Sequence, residues 1–147
     1  MHAEIRRLGG ADEKALLAAG ALFDQAPDAE ATQRFLSEPS HHLLVAYDPA
    51  GQPVGFVSGV ETTHPDKGTE MFVYELGVDA SARRQGVGHS LVEALAALAR
   101  GRDCYGMWVL TTTDNVAAQA TYERAGGALT TRPQLMLEWS FGASGPQ

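Results

Sequence analysis

Three short stretches hold the residues whose types and spacing could do chemistry. The first is ASARRQGVGHSLVEALAALAR, residues 80–100, where Arg83, Arg84 and Gln85 lead into Gly86-Val87-Gly88 and then His89-Ser90. An apolar helical stripe through Leu91, Leu95 and Leu98 follows at once. A helix N-terminus carries unpaired N–H groups and roughly half a positive charge. Gly86 and Gly88 remove side chains that would keep an anion from those amides, and the arginines add charge. The stretch therefore reads as a pyrophosphate cradle or, alternatively, as a glycine turn that only caps a helix.

The second stretch is EMFVYELGV, residues 70–78, apolar on both alternating faces after Glu70 except for Glu75. An unpaired buried carboxylate is costly, so Glu75 needs a partner, a proton or a cavity. An ion pair or a water-facing edge would satisfy it, and so would service as a base or amine anchor in a cleft. The third is NVAAQATYERAGG, residues 115–127, in which Asn115 and Tyr122 lie two turns apart on one helix face. Asn115 suits a helix N-cap. Tyr122 suits either a core position or, as a phenol of pKa ~10, an acid for a thiolate product.

The elements that must position these residues alternate between strand and helix periods. AEIRRL reads as a first strand, and DEKALLAAGALFDQ as a helix with acids in its first turn. PDAEATQRFLSEP reads as a second helix capped by Asp28 and stopped by Pro39. HHLLVAY and QPVGFVSGVE, joined by the turn DPAG, make a hairpin. CYGMWVLTTT is a further strand, with Met107 and Trp108 expected in the core, and ALTTRPQLMLEWSF is expected to close the chain as one or two strands. The order predicts an α/β domain mixing antiparallel hairpins with parallel strands joined by helical crossovers. It occupies 1–141, with 142–147 as a flexible tail.

Composition excludes several classes. With 147 residues, 44% hydrophobic and 20% charged, the chain reads as one ordinary globular domain. Its formal charge of -7 argues against nucleic-acid partners and suits a cationic small molecule. One cysteine, Cys104, excludes an internal disulfide, and MHAEIRRLGG has no apolar leader core, so a cytoplasmic location is expected. No run approaches the ~18 apolar residues of a membrane span. His41, His42 and His64 lack metal-ligand spacing and cysteine company, so no metal is expected. A Walker loop is excluded because no lysine follows the glycines, and a dinucleotide fingerprint because Leu91 stands at its third glycine.

Arg83-x-x-Gly86-x-Gly88 after an apolar strand, with Asn115-x-x-Ala118-x-x-x-Tyr122-x-x-x-Gly126 further on, resembles the GNAT superfamily of N-acetyltransferases. The likeness is strong over 69–127 and weak over the first forty residues. It implies the GNAT fold, a mixed twisted sheet with helices on both faces, and acetyl-CoA as cosubstrate. By this resemblance the amides from Gly86 to Ser90 hold the pyrophosphate. Leu76, Val78, Arg83, Arg84, Gln85, Gly86, Val87, Gly88, His89, Ser90, Asn115 and Tyr122 would contact the cofactor. A backbone N–H near Val78 would steady the thioester oxygen, Tyr122 would protonate sulfur, and Glu75 would take the amine proton. The family usually has an aromatic after its last motif glycine, whereas Gly127 and Ala128 follow here.

VYELGV and TYERAGG further resemble the short aminoglycoside 3-N-acetyltransferases, which place an acid where Glu75 lies. Glu75 and Asp114 would then meet a cationic amine, although the chain is shorter before residue 40 than that group. Two other readings stay open: a peptide, protein or other small-amine acetyltransferase, and a non-catalytic acyl-CoA-binding module. Family members often pair through their sheets, so a homodimer is compatible.

Overall fold

A computed structural model describes residues 1–142, so the tail beyond Gly142 lies outside the described residues. One sheet holds five strands in chain order: β1 (Glu4–Leu8), β2 (His41–Tyr47), β3 (Pro53–His64), β4 (Gly68–Val78) and β5 (Met107–Val109). The first four pair antiparallel, and β5 pairs parallel to β4. A parallel neighbour requires a long crossover, which the 15-residue helix α3 (Val87–Gly101) supplies. The helices α1 (Glu13–Ala18) and α2 (Ala29–Ser37) cover one face of the sheet, while α3 and α4 (Val116–Arg124) lie on the other.

The period of two along each strand divides the core between the faces. Leu43, Val45, Tyr47 and Phe56 pack with Leu16 and Ala19 on the α1/α2 face. Leu44, Ala46, Val57, Met71 and Val73 pack with Leu91, Leu95 and Ala99 of α3. The α2 cap is as expected, Asp28 accepting from the Ala31 amide at 2.8 Å. The predicted first helix is shorter, ending at Ala18 and tightening into a 3-10 turn over Gly20–Leu22.

One irregularity in β4 decides where Glu75 points. Gly59 pairs with Val73, yet Ser58 pairs with Glu75, so Tyr74 is an extra residue in the ladder. Such a bulge shifts the alternation of faces by one. Met71 and Val73 face α3 before it; Leu76 and Val78 pack toward α3 after it. Glu75 is thereby moved to the α1/α2 face, beside Ser58 and in line with Gly77. A regular strand would have sent its carboxylate into the α3 core.

At the far end of the sheet His42 is fully buried and its Nε2 lies 2.6 Å from Glu61. Arg7 Nη2 donates to His42 Nδ1 at 2.8 Å, and Arg102 Nε donates to the same Glu61 carboxylate at 2.6 Å. Since Arg7 can only donate, Nδ1 is the acceptor and the imidazole is neutral, with its proton on Nε2. Burial, opposed by the Glu61 hydrogen bond, holds the His42 pKa below its ordinary value. The unfolded chain therefore binds a proton near pH 6.5 that the folded chain refuses, and stability falls as pH drops through that window. Chemical denaturation should show a lower urea midpoint at pH 5.5 than at pH 7.5. His42→Gln should lose part of that difference; an unchanged pH dependence would remove His42 as its source.

Two further sequence expectations differ from the structure. Trp108 is not core: it is 41% exposed and stacks on Phe72 with ring centroids 4.3 Å apart. Residues 127–142 form no strand, and Leu135, Met136, Leu137, Trp139 and Phe141 stand exposed. β5 offers a ladder edge only three residues long, and Pro133 lacks a donor.

Candidate active site

The site lies where two parallel strands stop pairing. β4 and β5 are matched at Met71–Met107, Phe72–Trp108 and Val73–Val109, and the ladder ends there. β4 continues to Val78 with β3 on one side and no β5 partner on the other. The parting coincides with the Tyr74 bulge, so a gap opens beside the residues that the bulge redirects.

The loop from Asp79 to Gly86 closes the end of this gap. Asp79 accepts from the Ser81 amide at 3.0 Å and starts a 3-10 turn over Ala80–Ala82. Arg83 Nε donates to the Val78 carbonyl at 3.2 Å, and Gln85 Nε2 donates to the Ser81 carbonyl at 3.1 Å. Arg84 takes φ 61 and Gly86 φ 81, both left-handed, so the chain turns sharply into α3. Glycine adopts that conformation without strain, whereas Arg84 must be held there.

Val87, Gly88 and His89 sit in the first turn of α3, where amides have no acceptor inside the helix. The Ser90 amide is already donated to the Gly86 carbonyl at 3.0 Å. It leaves Ser90 only its hydroxyl, so the amides open to an anion belong to residues before it. The His89 ring turns away, with Nε2 at 2.8 Å from Glu93 and 3.2 Å from the Arg124 carbonyl. A Cβ on Gly88 would meet Thr121 Cγ2 at 3.3 Å, Val78 Cγ2 at 3.6 Å and Leu76 Cδ2 at 3.8 Å. Gly88 therefore lets α4 and the end of β4 close onto the first turn of α3, while a Cβ on Gly86 would meet nothing within 4 Å and leaves the mouth of the helix open. A helix start whose first amides have no partner inside the helix, with apolar Leu76 and Val78 beside it, fits a pyrophosphate with an attached aliphatic arm.

Glu75 and Tyr122 flank the gap from opposite faces of the sheet. Tyr122 is half-buried beside α3, where it lines a cavity of about 300 Å³ with Val73, Val92, Val109 and Ala125. Burial raises its phenol pKa, which keeps it protonated. Glu75 is half-buried on the α1/α2 face, and its pKa is raised first by burial and then by the charge of Asp24. Asn115 caps α4 as expected, accepting from the Ala118 amide at 3.1 Å. Asp114 stays exposed in the loop before that helix.

Sequence reasoning missed Asp24 and Ser58. The available signal for Asp24 was the break at Gly20 followed by FDQAP, an acid carried on a turn between two helices. Nothing in the one-dimensional pattern marks Ser58, which acquires its place from the β3–β4 register.

Residues 12–127 match the model of the acetyltransferase (GNAT) family, and the chain belongs to that family. Over 93 residues it is 37% identical to the L-2,4-diaminobutyric acid acetyltransferase of Streptomyces coelicolor, a match covering 58% of this chain and 52% of that protein. The chain spans about half or less of the length of the curated relatives it matches. Among solved structures, an aminoglycoside acetyltransferase, meta-AAC0020, from an uncultured soil metagenomic sample in complex with sisomicin superposes with a TM-score of 0.80 at 18% identity, covering 97% of both chains. AAC(6')-Iy in complex with the bisubstrate analogue CoA-S-monomethyl-acetylneamine gives 0.78 at 20% identity, covering 95% of this chain and all of that one. Both likenesses establish the GNAT fold. Among the described residues no group of histidine, cysteine and carboxylate side chains could hold a metal ion, and no helix is long and apolar enough to cross a membrane.

Proposed function

We propose that this chain transfers an acetyl group from acetyl-CoA to a primary amine of a small cationic molecule. The observation that carries the reading is the gap between β4 and β5, with Glu75 on one face, Tyr122 on the other and the glycine turn into α3 at its end. The cosubstrate supplies an activated thioester; the chain's own residues do the rest.

Amides of Gly86, Val87, Gly88 and His89 receive the pyrophosphate, with Arg84 adding charge, while Arg83 and Gln85 stiffen the loop through its carbonyls. Leu76, Val78 and Asn115 border the pantetheine arm. An amine must be neutral to attack, so Glu75 removes its proton, directly or through water. The backbone N–H at Val78 faces the charge that develops on the thioester oxygen. Tyr122 gives its proton to the departing sulfur.

An aminocyclitol of the aminoglycoside class is the substrate this reading favours. The net charge of -7 supports it, as do the aminoglycoside acetyltransferases among the structural neighbours. Neighbours of 6' type stand beside the 3-N type suggested by VYELGV, so the acetylated nitrogen is to be read from the product by NMR. A homodimer paired through the sheets fits the open outer edge of β5. The deciding experiment is a panel of kanamycin-like aminocyclitols, α,ω-diamino acids and peptide N-termini, with acetyl-CoA consumption as readout. CoA binding without turnover of any amine would convert the reading to a binding module, and preference for peptides would replace the substrate class.

A side chain at Gly88 provides a separate check. Gly88→Val should raise the KM for acetyl-CoA by roughly tenfold or more while the amine KM changes little, because the branched side chain has to push Thr121, Val78 and Leu76 away from the first turn of α3. Unchanged acetyl-CoA kinetics in the folded variant would move the cofactor elsewhere.

A further inference from the structure

The face of the sheet that carries Glu75 is built to receive more than one positive charge. Gly77 lies opposite Phe56 and two residues beyond Glu75. Its missing side chain admits the 3-10 turn: a Cβ there would meet Phe56 Cε1 at 2.7 Å and the Leu22 carbonyl at 3.3 Å. Phe23 then stacks on Phe56 with ring centroids 4.4 Å apart. Phe56 and Ser58 share a face of β3, as Gly77 and Glu75 share a face of β4. A chain pinned at Leu22 and Phe23 therefore brings the exposed Asp24 to the rim of the Ser58–Glu75 pair.

Ser58 supplies an independent sign of a ligand. It is only 6% exposed, and its buried hydroxyl has no hydrogen-bond partner. A buried hydroxyl left unpaired is costly. Ser58 sits directly opposite Glu75 across the ladder, so the polar group that would satisfy it lies at the carboxylate.

We propose that Asp24, Glu75 and Ser58 form a subsite for a diamine, in which Glu75 and Ser58 take the reacting nitrogen and Asp24 takes a second ammonium group on the same small molecule. The proposal rests on the acetyl-transfer reading for which nitrogen reacts, but not for the preference for two charges. Asp24 is a positioning residue: it selects substrates whose two nitrogens are separated by a few bonds and turns the neutralised one toward the gap.

The test combines calorimetric binding to the CoA-loaded protein with acetyl transfer. 2-Deoxystreptamine is the diamine probe and D-glucosamine the monoamine. Wild type should bind the diamine at least roughly tenfold more tightly, since a second ammonium beside a carboxylate adds a charge-assisted contact. Asp24→Asn, on an exposed turn, should lose most of that ratio while monoamine affinity changes little. Ser58→Ala should weaken both probes alike. A diamine preference that survives Asp24→Asn, or is absent from wild type, overturns the subsite. A preference that depends on Asp24 without any acetyl transfer supports the subsite and removes the catalytic reading instead.

Discussion

Tyr122→Phe is expected to lower kcat by roughly ten- to a thousandfold with the KM for acetyl-CoA nearly unchanged. The variant removes one oxygen and keeps the ring in the wall of the cavity it lines with Val73, Val92 and Ala125, so packing is preserved. On the proposed reading, what it deletes is the proton for the leaving thiolate. Burial raises the Tyr122 pKa, and the sign suits the role: an acid must stay protonated at the working pH, and desolvation disfavours the phenolate. A wild-type rate under conditions where chemistry limits turnover would make Tyr122 a core residue alone.

Glu75→Gln is expected to reduce the rate by roughly ten- to a hundredfold near neutral pH, with the loss shrinking as pH rises. Two physical facts set that slope. Glutamine keeps the shape but cannot accept the amine's proton, and at higher pH a growing fraction of amine is already neutral. Burial first, and the Asp24 charge second, raise the Glu75 pKa. The base must be ionised to act, so the wild-type rate should fall on acidification through a pKa above the ordinary carboxylate range. Glu75→Gln should lack that acid limb. Equal rates for wild type and variant across pH 6–9 would make Glu75 structural and pass the base to a water chain or to Asp114.

How much was legible follows from which signals are local. The Gly86-Val87-Gly88 turn and the Asn115 cap depend on neighbouring residues, and the sequence predicted both as the structure has them. The order of the first nine elements, up to α4, follows from periodicity in the same way. Glu75 stood out as a carboxylate in an apolar run, but its direction depended on a single extra residue in the ladder, which alternation cannot reveal. The charge of Asp24 reaches Glu75 across the fold and Ser58 faces Glu75 through a long-range register, so Ser58 carried no local mark and Asp24 only the turn that bears it. Trp108 misled because bulk and hydrophobicity predict burial, while a three-residue edge strand has little to bury it against. The closing segment misled similarly: LMLEWSF has strand composition, and pairing needs a partner as well as propensity.

The extra residue at Tyr74 also bears on how this chain should be aligned and engineered. An ungapped alignment of β4 to a strand without the bulge would match each residue after it to a neighbour facing the opposite layer. Glu75 and Gly77 would then be compared with core positions, and Leu76 with a residue of the α1/α2 face. Deletion of one exposed tyrosine, which no list of catalytic side chains contains, would invert the facing of the whole segment from 75 to 78. For this strand, insertions and deletions are the informative class of variant, and a library of substitutions alone would never sample the feature that sets its orientation.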